Sequence, residues 1–136
     1  MKKRKILLLA LIVLIMNLVW EFSHSGLYND LTGISSTLHL ILASFGDLLF
    51  VFLIFALVSF INRSIKWAKN PDKKDYLLIT IFGLVMATLI EVVNLNLGRW
   101  SYTQSMPTIF TIGLSPLLQL ATTGILSLII FRKFNF

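Results

Sequence analysis

Three carboxylates stand inside or at the ends of long apolar stretches: Glu21, Asp47 and Glu91. Two histidines, His24 and His39, and a single arginine, Arg99, lie close to them along the chain. Placing an ionisable side chain at mid-bilayer depth costs about 2.5–3.5 kcal/mol on insertion scales, so acids retained there point either to function or to ion pairing. Desolvation favours a neutral carboxyl group, which can hand its proton to an apolar substrate. Glu21, Asp47 and Glu91 are therefore the candidate acid/base residues. His24, His39, Asn94, Arg99, Trp100, Tyr102 and Gln119 are the candidate substrate-binding residues around them. Only Glu21-x-x-His24 has metal-ligand spacing on one helix, so no metal is expected. No other cofactor is expected either. Ser23, Ser25, Ser35 and Ser36 lie near the histidines without a strand-turn-helix elbow, which argues against a nucleophilic triad. The absence of Cys removes thiol chemistry.

The elements that must carry these residues follow from composition. Of 136 residues, 57% are hydrophobic and 13% charged, against about 45–50% and about 25% in soluble domains. With a mean hydropathy of +0.85, the bilayer is the expected solvent. The net charge of +6 comes from short basic clusters between apolar runs, the pattern of a membrane topology signal rather than of nucleic-acid binding. A hydrocarbon core of about 30 Å needs roughly 20 apolar residues per helix. Four such runs are present, over about 6–22, 37–61, 76–97 and 108–131. Each is too continuously apolar for a membrane barrel strand. The expected fold is an all-α, four-helix membrane bundle forming one domain over residues 1–136.

Orientation follows from the basic residues. Lys2, Lys3, Arg4 and Lys5 precede the first span; Arg63, Lys66, Lys69, Lys73 and Lys74 separate the second and third; Arg132 and Lys133 follow the fourth. Only Arg99 falls on the other side, so both termini are expected in the cytoplasm of a multi-pass cell-membrane protein. The first run also has the n-region and h-region of a signal peptide, but the 20–26 stretch offers no clean small-x-small cleavage site. Trp20, Tyr28, Trp67, Tyr76, Trp100 and Tyr102 lie near span ends, and most of them read as an interfacial belt.

Residues three, four or seven apart share a helix face. Asn17, Glu21 and His24 form one stripe; His39, Ala43, Gly46 and Phe50 form another, with Asp47 turned aside. Glu91, Asn94 and Gly98 form a third, and Thr108, Thr111, Ser115, Gln119 and Thr122 a fourth. Gly46 is expected to permit a close helix approach, and Pro116 to kink the fourth span. Arg99 is expected to fold back onto Glu91 or to hold an anionic headgroup. The inner halves of the spans carry few polar residues, which argues against a continuous pathway through one chain.

Gly98-Arg99-Trp100-Ser101-Tyr102 followed by Gly113-Leu114-Ser115-Pro116-Leu117 resembles the membrane-embedded lycopene cyclase domains, which carry a Gly-x-Trp-x-Tyr loop and then Pro-Leu-Glu-Glu. The resemblance covers about twenty residues. It implies a polyene-protonating site, with Leu118 and Gln119 where the family has its paired glutamates. The whole chain resembles a family of small four-span bacterial membrane proteins of no assigned activity. The leading functional expectation is binding, or acid-catalysed transformation, of a membrane lipid or isoprenoid, since apolar walls with a few acids suit such a substrate. The alternatives are a small transporter or proton-coupled carrier, and an accessory subunit of a larger membrane complex. A homo-oligomer is compatible with each.

Overall fold

The computed structural model describes residues 3–29 and 34–134. Met1, Lys2 and the 30–33 part of the first long loop lie outside the described residues. Four α-helices make up the bundle: α1 (Lys3–His24), α2 (Ile34–Ile61), α3 (Lys73–Asn96) and α4 (Leu114–Lys133). All four are long and apolar enough to cross a membrane. Their outward faces carry exposed large apolar side chains such as Leu7, Leu49, Phe60, Leu77 and Leu89. That surface is compatible with a lipid solvent.

The first three helices begin about three residues before the runs read from hydropathy, because polar and charged residues at a helix end extend it without extending the apolar stretch. At α3 the cause is explicit. Asp72 accepts from the Asp75 backbone N–H at 2.9 Å, and the Asp75 side chain accepts from the Asp72 N–H at 3.0 Å. This reciprocal capping box starts the helix at Lys73. Buried Asp75 is also held by the Asn62 amide at 2.6 Å, which ties the end of α2 to the start of α3. Trp67, expected at the interface, is instead buried in the α2–α3 corner, where its indole donates to Ser59 Oγ at 2.7 Å.

The largest departure is at α4. Thr108–Ile109 and Ile112–Gly113 form a short antiparallel hairpin, with Phe110 and Thr111 at positive φ in its turn. Thr108 and Thr111 are thus not on the α4 stripe, and the helix begins at Leu114. Pro116 falls in the first helical turn, where the missing N–H has no intrahelical partner to lose. It therefore does not kink the helix. The α4 stripe continues in the opposite direction instead: Gln119, Thr123 and Ser127 are all buried.

Packing around the bundle is uneven. α1 lies between α2 and α4, and α4 between α1 and α3, while the α2–α3 seam is the loosest of the four. The tight crossing is α3 on α4 at Gly83, where an added Cβ would lie 2.7 Å from the Ala121 nitrogen and 2.8 Å from its Cα. Gly46, the residue expected to do this, has nothing within 4 Å of an added Cβ. It lines a cavity. Below that cavity, Val51, Ile54, Val58, Ile79 and Leu128 form the buried core.

Backbone atoms at the Gly83 crossing cannot give way as a side chain would, so Gly83→Val should destabilise the bundle by roughly 1–3 kcal/mol, the range for overpacking. Gly46→Ala should leave the unfolding temperature in detergent unchanged. Thermal unfolding of the two variants side by side checks both outcomes.

Candidate functional site

At the bundle end opposite the two termini, the two long loops are stitched together. The Asn29 and Thr103 N–H groups donate to the Ser101 and Leu27 carbonyls, each at 2.9 Å, and the Asn29 amide donates to the Tyr102 carbonyl at 2.9 Å. This pairing places Tyr28 against Tyr102, with ring centroids 5.4 Å apart. Tyr28 also lies edge-on to His24 at 5.2 Å and to Trp100 at 6.3 Å. Tyr28, Trp100 and Tyr102 thus form an aromatic cap on this end of the bundle. Burial is the main reason that both tyrosine phenols are pushed well above their ordinary range; for each, the Glu91 carboxylate adds to it. Both stay neutral hydrogen-bond donors.

Beneath this cap lies a cavity of about 340 Å³. Its polar wall is Glu21, Asp47, Glu91, Asn94 and Gln119, and its apolar wall includes Leu42, Ala43, Phe50, Ala87, Ile90 and Leu120. The α2 and α3 residues of this wall flank the loosely packed α2–α3 seam. His39, Arg99 and Trp100 line its mouth.

The centre of the site is one amide. Gln119 Nε2 donates to Glu21 Oε1 at 2.8 Å and to Asp47 Oδ2 at 2.7 Å, and lies 3.3 Å from Asn17 Oδ1. The Glu21 and Asp47 carboxyl groups also contact one another. Two carboxyl groups this close repel if both are charged, and the Gln119 N–H donors offset that repulsion. Asn17 is fixed by its own amide, which donates to the Val13 carbonyl at 3.0 Å. Three helices thus converge on Gln119, which is itself buried.

Glu91 forms a second, separate station on α3. Its Oε2 accepts from the Trp100 indole at 3.2 Å and from the Tyr102 hydroxyl. Arg99, expected to pair with Glu91, bonds instead to Asn94 Oδ1 at 3.1 Å. The backbone explains the difference. Gly98 sits at φ +65°, and the Gly98 and Arg99 N–H groups bond to the Leu95 and Asn94 carbonyls. This Schellman turn, which favours glycine, brings the chain back over Asn94 one turn short of Glu91.

His24 and Tyr102 were expected to touch substrate, but neither lines the cavity. His24 is buried behind Glu21: its Nε2 lies 3.5 Å from Glu21 Oε2 and its Nδ1 2.8 Å from Ser115 Oγ. It orients the acid from the rear. Tyr102 acts through Glu91. His39, Asn94, Arg99, Trp100 and Gln119 do line the cavity. Sequence reasoning passed over Tyr28 and Ser115 as site residues. Their i, i+4 relation to His24 for Tyr28, and the α4 stripe for Ser115, were the available signals.

Among the described residues, no group of three or more His, Asp or Glu side chains is arranged to hold a metal ion. No protein-family model matches the chain, and no match to a curated protein or to a solved structure was found.

Replacing Gln119 by Leu would leave the Glu21–Asp47 pair without its shared donor, and should lower stability by about 1–3 kcal/mol, the cost of unsatisfied buried polar groups. Because these residues share one network, Asp47→Asn added to Gln119→Leu should recover part of the loss, with a coupling of at least ~0.5 kcal/mol. Denaturation of the two single variants and the double variant in detergent measures the coupling. Additive losses would contradict the shared-donor arrangement.

Proposed function

We propose that this chain is a multi-pass membrane protein with both termini cytoplasmic, and that its cavity binds the apolar chain of a lipid or isoprenoid and protonates it. The observation that carries this reading is the Glu21–Asp47 pair, held by one amide on the wall of a mostly apolar cavity that also borders the loosely packed α2–α3 seam. In this reading a substrate dissolved in the bilayer enters through that seam without crossing water. A proton of the pair is transferred to a carbon–carbon double bond: the carboxyl O–H breaks, a C–H bond forms, and a carbocation is left on the adjoining carbon. Phe50 and Trp100 line the same cavity and offer π-faces to that cation. Loss of a proton from a neighbouring carbon back to the pair restores the acid, so the net change is an isomerisation or ring closure. His24, buried behind Glu21 and bonded to Ser115, holds that carboxyl in position.

The short likeness to lycopene cyclase domains supports the same chemistry by another arrangement. There the acids are neighbours on one helix; here Gln119 occupies one of their positions and draws together acids from α1 and α2.

One observation favours a proton-coupled carrier as the second reading. Thr123 and Ser127 are fully buried with unpartnered hydroxyls, one and two turns beyond Gln119 toward the terminal end. Asn17, Ser44, Ser59, Thr80, Thr88 and Asn94, by contrast, all bond back to the carbonyl four residues earlier. The two free hydroxyls extend the polar line farther inward than the sequence led us to expect.

Protonation is tested by reconstituting the protein with unsaturated isoprenoid lipids in deuterium oxide and following carbon-bound deuterium by mass spectrometry. Deuterium should enter the lipid. Asp47→Asn and Glu21→Gln should each lower the rate by at least ~100-fold, the lower bound for losing a general acid. Incorporation unaffected by either substitution would refute the assignment.

Topology is tested directly, because the chain has no Cys. A cysteine introduced at Asn70 should resist an impermeant maleimide applied to intact cells, whereas one at Ser101 should react. The reverse pattern would invert the orientation.

A further inference from the structure

The mouth of the cavity has a chemistry opposite to its interior. Inside are three carboxyl groups and no basic side chain; at the mouth stand Arg99 and His39. They come from opposite sides of the α2–α3 seam, His39 from the second turn of α2 and Arg99 from the turn that ends α3. Trp100 lies beside them, its ring centroid 6.3 Å from that of His39.

Three further observations bear on what these two residues face. Arg99 is exposed, and among the described residues its side chain bonds to the neutral amide oxygen of Asn94, on one guanidinium nitrogen. The nearest carboxylate along its own helix, Glu91, has its Oε2 taken up by Trp100 and Tyr102. Arg99 is also the sole Lys or Arg between Lys74 and Arg132, so no other cation competes with it at this end of the bundle. A guanidinium bonded through one nitrogen among the described residues, lining the same cavity as an imidazole, matches a tetrahedral oxyanion.

We infer that the ligand of this cavity is a single-chain amphiphile with a phosphate head, its head held between His39 and Arg99 and its chain running inward past Gly46 and Ile90. The inference rests on the lipid-binding reading above and adds the polarity of the ligand. The charge order of the site fixes that polarity. The phosphate is repelled from the three acids and retained at the mouth, while the chain lies where Leu42, Ala43, Phe50 and Ile90 supply apolar contact. Gly46 has open space in place of a side chain, which leaves room for the chain. By bridging His39 and Arg99, the head would also span the seam where α2 and α3 pack most loosely.

Native mass spectrometry from a non-ionic detergent, with dodecyl phosphate and dodecanol as matched probes, separates head recognition from chain binding. The wild-type protein should bind the phosphate at least ~10-fold more tightly than the alcohol, a difference of about 1.4 kcal/mol. A His39→Gln, Arg99→Gln double variant should lose that preference and keep its affinity for the alcohol, while Gly46→Phe should weaken both probes. Equal affinity of the wild type for the two probes, with Gly46→Phe still blocking them, would overturn the phosphate assignment alone. Binding of both probes unaffected by Gly46→Phe would overturn the cavity as a lipid site, and this inference with it.

Discussion

The shared amide of Gln119 is the interaction on which the upper half of the bundle depends. Glu21 on α1 and Asp47 on α2 present like charges to each other in apolar surroundings, an arrangement that would drive the helices apart if each acid stood alone. Two N–H donors from α4 turn that repulsion into a three-helix junction. Everything at the distal end is arranged around it. α1 stays against α4 because Glu21 meets Gln119 and His24 meets Ser115, and α2 is tied to both through Asp47. α3 takes no part in the junction. Its own acid, Glu91, is satisfied by the loop residues Trp100 and Tyr102.

That exclusion explains the shape of the cavity. α3 is pinned to α4 lower down, where Gly83 lets the two backbones approach at Ala121. Above this crossing α3 packs only loosely on α2, and His39, Gly46 and Ile90 border the cavity between them. A tight seam on one side and a loose one on the other leave room for the pocket, a geometry that follows from where small residues and hydrogen-bond donors fall along the helices.

Much of the architecture was legible in the sequence, because long apolar runs leave few alternatives in a membrane. The stripe Asn17, Glu21, His24 and the α2 face of His39, Ala43, Gly46 and Phe50 follow from helical spacing, whereas Asp47, read as turned aside from that face, lines the same cavity. The errors came from residues whose role depends on the loops. Thr108 and Thr111 fit a helical period, yet the hairpin through Phe110 takes them off α4. Arg99 is separated from Glu91 by the Schellman turn at Gly98, a backbone event that spacing along a helix does not register. Gly46 and Gly83 look alike in sequence. Only the packing shows that one leaves space and the other removes it. Tyr28 was passed over because its partners, Trp100 and Tyr102, lie more than seventy residues away.

The stitched loops at the distal end have a consequence for how the bundle comes together. Asn29, Leu27, Ser101 and Thr103 exchange backbone hydrogen bonds between segments that precede α2 and follow α3. Those bonds cannot form until α3 has been made and packed beside the first two helices. The aromatic cap and the binding of Glu91 by Tyr102 thus belong to the last stage of assembly, after the spans are in place. A chain stopped after α2 would carry Glu21 and Asp47 side by side, with neither the Gln119 amide nor a roof of rings above them. The fourth helix is then a late-arriving lock, and the half-made bundle would expose its acid pair to whichever chaperone or protease inspects the membrane first.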